Sequence, residues 1–359
     1  MSTTSREADQ LDRAKAEAFQ HKFVQDLAAV AGFACASIGD RLNLYKAMAS
    51  GGPVTSEQLA EATSTHERYV REWLINQAAG GYLEYDPTTR RYSLPAEHAA
   101  VLADEESPYH CGGALQLFMA LLQAESNISQ CFVSGKGMLW AEHDPGLFLG
   151  TERFFRPAYM WQLIPQWLPS IHGLPDKLHS GAKVADVGCG HGVSTLVMAN
   201  AFPLSHFSGF DNHVRSIEAA IDSARKGGPV KNVSFEACEA SAFPGNDYDL
   251  VTFFDCLHDM GDPVSACRRA AQALAKDGVV MIVEPMAGKT VEDNFNPVGR
   301  LLSGASVLCC TPNAIASGNH SLGTIASDEA LAAVARAGGL TQFRRVCETP
   351  FNRVFEARP

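Results

Sequence analysis

The chain has 359 residues, 46% hydrophobic and 19% charged, with a net charge of −11 and a pI near 5.5. This composition suits a soluble protein large enough for two cored domains, and its negative field disfavours nucleic acid and anionic membranes as partners. Ten scattered cysteines without a Cys-x-x-Cys, an opening Met1–Glu7 with no apolar leader, and no apolar run of bilayer length predict a reduced, cytoplasmic protein.

Phe23, Leu27, Val30 and Phe33 recur at helical spacing, and Ile38 to Met48 reads as a second amphipathic helix stopped by Gly51-Gly-Pro53. Thr55 with Gln58 and Ser64 with Glu67 have the capping-box pattern. The helix after Ser64 carries Val70, Trp73, Leu74 and Ala78 on one face. Tyr82–Tyr85, a turn at Asp86–Thr89, and Arg91–Leu94 read as a hairpin. Three helices and a hairpin predict an all-α winged helix over residues 1–105. Its first hundred residues carry ten Lys or Arg against thirteen Asp or Glu. A ligand-responsive transcription regulator is the rival reading, but this surface is poorly suited to neutralising phosphates. The apolar excess between Phe19 and Phe33 points instead to a homodimer.

Residues 106–172 read as a helical linker or cap. One apolar face has Leu115, Leu117, Phe118, Leu121 and Leu122, and Glu152 to Ile164 forms an aromatic helix that includes Tyr159, Met160 and Trp161. Over 173–359 the apolar runs Val184–Val187, His206–Asp211, Val233–Ala237, Leu250–Phe254 and Val279–Glu284 alternate with helical stretches. That is the pattern of a doubly wound parallel α/β sheet. Leu340–Val346 and Phe351–Ala357 read as a terminal antiparallel hairpin.

The first of these strands runs into Asp186-Val-Gly188-Cys-Gly190-His-Gly192, with Asp211 closing the next strand. Val193 stands where a dinucleotide fingerprint has its third glycine, and an acid at the strand tip repels a pyrophosphate. A cation with ribose hydroxyls suits both acids better. S-adenosylmethionine carries an ammonium, a sulfonium and no phosphate.

Ala185 to Gly192 resembles motif I of the class I S-adenosylmethionine-dependent methyltransferases. The N-terminal winged helix resembles that of small-molecule O-methyltransferases, where it serves dimerisation, and the whole chain is most similar to an actinobacterial and mycobacterial group of undefined substrate. The resemblance implies a Rossmann-like seven-stranded sheet and S-adenosyl-L-methionine as cofactor. It places Asp186, Gly188 and Gly190 at the methionine end, Asp211 at the ribose, and Glu239 and Ala240 at the adenine, with Gly192 and Asn212 as further cofactor-binding residues. It also places Phe254 and Asp255 beside the methionine portion.

Leu257-His258-Asp259 resembles the Leu-His-Asp-Trp motif whose histidine is the general base, with Met260 in place of tryptophan. His258 is thus the candidate base and Asp259 its orienting or substrate-holding neighbour. Tyr159, Trp161, Asn294 and Asn296 are candidate substrate contacts. His320 reads as a loop residue and Cys189 as a small side chain in the turn. No metal set is evident; His258, Asp259 and Asp262 read as strand-end residues. The expected reaction is methyl transfer to a small-molecule acceptor, most simply a hydroxyl, with N- or C-methylation as the runner-up. A cofactor-binding fold without catalysis is a further alternative.

Overall fold

The computed structural model describes residues 11–226, 231–318 and 320–359. Met1–Glu7, where no leader is expected, lies outside them. Contacts divide the chain after Glu105 into two units.

In the first unit, Asp12 caps α1 (Arg13–Arg41) by accepting from the Lys15 amide. Asn43 takes a left-handed turn, φ 56°, before α2 (Leu44–Gly51). The expected single helix from Ile38 to Met48 is therefore split: Ile38 to Arg41 complete α1, and Leu44 opens α2. The capping box of Thr55 and Gln58 starts α3 (Ser56–Thr63). The second expected box does not form. Ser64, at φ 53°, closes α3, His66 caps α4 (Glu67–Ala79), and Glu67 accepts from the Ser56 hydroxyl instead. α4 buries Val70, Trp73, Leu74 and Gln77. Trp73 donates to the Cys35 carbonyl at 2.8 Å, with its ring over Gly39, where a Cβ would come within 2.5 Å. β1 (Glu84–Asp86) and β2 (Arg91–Ser93) form the wing, and α5 (Ala96–Leu102) comes next. Arg68 and Arg71 are each paired with a glutamate one turn away on α4. Phe19, Phe23, Val24, Leu27 and Val30 of α1 are all more than half exposed. Contrary to the expectation of no such run, α1 is long and apolar enough by length and composition to cross a membrane.

The second unit begins with α6 (Gly112–Gln123), α7 (Glu125–Ser134) and α8 (Gly146–Ala158). α8 runs into a wide π-helical stretch, Tyr159–Trp167. α9 (Leu174–Gly181) leads to β3 (Lys183–Val187), α10 (Val193–Ala201), β4 (His206–Asp211), α11 (Val214–Lys226), β5 (Val233–Ala237) and β6 (Tyr248–Phe254). Then come α12 (Pro263–Ala273), β7 (Leu274–Pro285) and α13 (Pro297–Ala305), with a second π stretch, Ser306–Cys310, directly after it. α14 (Thr311–Ser317), α15 (Asp328–Ala337), β8 (Gln342–Glu348) and β9 (Asn352–Arg358) complete the unit.

The sheet has seven strands in the order β5-β4-β3-β6-β7-β9-β8, parallel except for β9, which is antiparallel to both neighbours. Alternate residues feed its two cores: Val251, Phe253, Val280 and Ile282 face one, and Leu250, Phe254, Met281 and Val283 the other. Each large apolar side chain buried this way contributes roughly 1.5–3 kcal/mol. The chain winds outward from β3 in one direction and returns to β6 in the other. That leaves a crevice at the carboxyl ends of β3 and β6, where doubly wound sheets bind ligands.

Candidate active site

The turn after β3 holds Gly188, Gly190 and Gly192 at φ 77°, 52° and 77°, a region side chains disfavour. A Cβ on Gly192 would strike the Phe235 ring at 2.7 Å, so that glycine allows α10 to pack closely. A Cβ on Gly190 would meet nothing within 4 Å, because this residue faces open space. The space is a cavity of about 280 Å³ enclosed by the ends of β3, β4, β5 and β6 and by the helices before the sheet.

Gly188, Gly190, Asp211, Asn212, Glu239, Ala240, Phe254 and Asp255 all line the cavity, as do Tyr159 and Asp259. Asp211 accepts from the Gly190 amide at 2.9 Å and from the His213 amide at 2.8 Å, so one carboxylate ties the glycine turn to β4. Burial pushes its pKa up, against the pull of those two amides. Asn212 donates to Glu239 at 3.4 Å. Asp255 stands at φ 49°, with both carboxylate oxygens held by Asn352 at the start of β9. Burial and the Glu284 charge raise its pKa well above the ordinary carboxylate range. Tyr159 packs against Phe254 at 5.5 Å and edge-on to Trp167 at 6.2 Å, forming an aromatic wall.

Other expected site residues stand elsewhere. Asp186 is fully buried and off the cavity wall. Its carboxylate accepts from the hydroxyls of Ser194, Thr195 and Thr252 at 2.6–2.8 Å, so it anchors the start of α10 to the sheet. Gly192 is likewise behind the wall. Trp161 donates to the Glu106 carbonyl at 3.1 Å and is half exposed. Asn294 bonds the Gly288 amide and the Thr290 carbonyl, and Asn296 caps α13 through the Gly299 amide. Both asparagines are spent on local turns.

His258 is 4% exposed and is absent from the cavity lining. Its Nδ1 lies 2.6 Å from Glu284, whose other oxygen accepts from the His258 and Leu257 amides. The Cys310 sulfur lies near this ring: one ring nitrogen, an Asp259 oxygen and the sulfur all stand within 4.8 Å of one another. Burial works against the imidazolium, but Glu284 and Cys310 together hold the His258 pKa well above its usual value. Asp259, next in the chain, does reach the cavity, and burial pushes its pKa up to about 7.

The sequence reading missed Glu284, although it ends an apolar strand as Asp211 does. It also missed Glu152 and His191, which pair at 2.9 Å between α8 and the glycine turn, and both line the cavity. Cys310 had no local signal. Its place depends on Pro312, which cannot donate to the Leu308 carbonyl four residues back. That carbonyl instead accepts from His143 at 3.2 Å while the helix widens through Ser306–Cys310.

Six carboxylates line the cavity, from Glu152, Asp211, Glu239, Asp255, Asp259 and Asp262, and no Lys or Arg does so among the described residues. Such a wall repels phosphates and welcomes a cation.

Comparison with known proteins gives the same direction. Residues 29–104 match the Rv2258c-like winged HTH domain, and residues 178–331 match a methyltransferase domain. A ubiquinone biosynthesis O-methyltransferase of Bordetella parapertussis is 32% identical over 182 residues, covering 49% of this chain and 70% of that protein. The chain belongs to the class I S-adenosylmethionine-dependent methyltransferases. The ribosomal RNA large subunit methyltransferase G of Alcanivorax borkumensis is 30% identical over 115 residues, 31% of this methyltransferase. The match spans only 30% of that relative's own length. Human N-acetylserotonin methyltransferase, solved in complex with SAM, superposes with a TM-score of 0.70 at 14% identity, covering 100% of this chain and 99% of that one. At that identity the likeness is one of fold.

Proposed function

We propose that this methyltransferase moves a methyl group from S-adenosylmethionine to a hydroxyl of a small aromatic or secondary metabolite. The observation that carries the reading is the cavity wall of six carboxylates without a Lys or Arg. It fits a ligand with an ammonium and a sulfonium and not a dinucleotide. When bound, the cofactor supplies an electrophilic methyl for in-line displacement.

The residues divide the work by position. Gly188 and Gly190 let the backbone approach the ligand, and Asp211 and Asn212 hold the ribose hydroxyls. Each Asp211 oxygen accepts one amide and keeps a further lone pair for the ligand. Glu239 and Ala240 border the adenine. Asp255, Phe254 and Tyr159 surround the cationic end, where an aromatic face adds cation–π attraction. Holding donor and acceptor in line is the largest part of the protein's task. Asp259 meets the acceptor hydroxyl and, with His258 fixed behind it by Glu284, receives its proton.

The withdrawal of His258 from the wall favours a second reading, an N- or C-acceptor that needs no base. Full turnover by Asp259→Ala would select it. The segments 106–172 and 173–359 act as cap and cofactor domain. The apolar stripe of α1 supports pairing of two copies through residues 1–105. Ten unpaired thiols support a reducing cytoplasm.

Calorimetric titration with S-adenosylmethionine, its demethylated product and NAD tests the reading. Micromolar binding of the first two without NAD is expected. Binding of NAD alone, or of none, would overturn it.

A further inference from the structure

The His258 imidazole, the Asp259 carboxylate and the Cys310 thiol converge from two elements far apart in sequence. One ligating atom from each lies within 4.8 Å of the others. We propose that these three residues bind a divalent cation of the zinc class, and that its occupancy shuts off the acceptor side of the cavity. The binding stands on the geometry alone; the inhibition rests on the methyl-transfer reading above.

The ligand chemistry selects the ion. A thiolate and an imidazole are borderline-soft donors, which favour zinc over magnesium. One neutral imidazole, one thiolate and one carboxylate balance the charge of a divalent cation. Binding displaces the thiol proton of Cys310, the imidazolium proton of His258 and any proton on Asp259, and these leave to solvent. Zinc distances of about 2.0–2.3 Å need the three donors to close in modestly, through side-chain rotation.

The surrounding shell is already built for this. Ligating histidines give their other nitrogen to a carboxylate, which fixes the ring and strengthens the ligand. Glu284 holds His258 Nδ1 in this way at 2.6 Å, and the same carboxylate accepts two backbone amides, so the ring cannot swing. With Nδ1 so held, the second nitrogen is the one left for the metal. Asp259 lines the cavity, so the fourth tetrahedral position opens toward it and takes water. With the metal in place, Asp259 and His258 are ligands and neither can take a proton from an acceptor. Cys310 adjoins His258, so the turnover of each Cys310 variant is measured with and without zinc and compared with its own metal-free rate.

The test uses the full chain, stripped with a chelator and titrated with cobalt, then zinc. One cobalt per chain with a thiolate-to-metal charge-transfer band is expected, displaced by zinc. The band disappears in Cys310→Ser and persists in Cys309→Ser. Glu284→Gln weakens cobalt binding by about 10–100-fold. Zinc abolishes turnover of the wild type reversibly, and Cys310→Ser keeps its own metal-free rate in its presence. No stoichiometric cobalt, or a band that survives in folded Cys310→Ser, overturns the site. Zinc that accelerates turnover overturns the inhibitory role. If no acceptor is methylated, the functional reading fails while the cobalt spectrum still decides the metal site.

Discussion

Asp211→Asn isolates the charge at the end of β4 while keeping its shape. In the native protein one oxygen accepts from Gly190 and the other from His213. An amide offers one acceptor and one donor, so one of those backbone amides then faces an N–H and loses its partner. The ligand's hydroxyls also lose an anionic acceptor for a neutral one. Hydrogen bonds to a charged group contribute about 1.5–3 kcal/mol, so cofactor affinity falls roughly 10–150-fold. Calorimetry with S-adenosylmethionine reads the change directly, with circular dichroism to show that the variant is folded. The ionised carboxylate is the form that accepts hydrogen bonds, and burial raises its pKa. Wild-type affinity therefore drops as pH falls through that raised value, above the usual aspartate pKa. Asp211→Asn has no such proton to gain, so its affinity is flat there. Unchanged affinity in the folded variant at neutral pH would refute the ribose assignment.

Gly190→Ala leaves the fold standing at a cost of about 1–2 kcal/mol for its left-handed backbone, yet loses cofactor binding, because the new methyl points into the cavity. Thermal melting and calorimetry separate the two effects. Gly192→Ala meets the Phe235 ring as well and shows the larger loss of melting temperature. Glu284→Gln frees the His258 ring and lowers kcat by about 10²–10⁴-fold with cofactor affinity unchanged, measured by single-turnover methylation. Asn296→Ala removes the cap of α13 and costs about 1 kcal/mol in denaturant unfolding, with no change in cofactor affinity.

The sheet, and the strand-end residues it brings to one cavity, were legible because their signals are local. A strand, a glycine turn and an acid at the next strand's end are each read within a few residues. Asp186 shows the limit of that logic. Its place before the glycines identified the motif, but the charge argument belonged to other carboxylates. Only Ser194, Thr195 and Thr252, the last from a neighbouring strand, reveal that it is sequestered. Asn294 and Asn296 meet a related limit: short polar residues in a loop look free until their own backbone partners are seen. The split between α1 and α2 turned on one asparagine adopting a left-handed turn that periodicity does not register. His258 was found by resemblance, and its setting between Glu284 and Cys310 required strand pairing and a helix some fifty residues downstream.

The widened turn at Ser306–Cys310 has a consequence for the length of the chain. A π turn holds one residue more than an α turn. Deleting one residue there restores ordinary helical winding and leaves α13 and α14 nearly in phase, because five π residues and four α residues turn through about the same angle, but the bulge that carries Cys310 is lost. No side chain facing the cavity is altered in kind, yet Cys310 no longer meets His258. A feature of this sort changes between relatives by a gap, where comparing residues column by column sees nothing substituted. The approach of Cys310 to His258 is thus recorded in spacing rather than in residue identity.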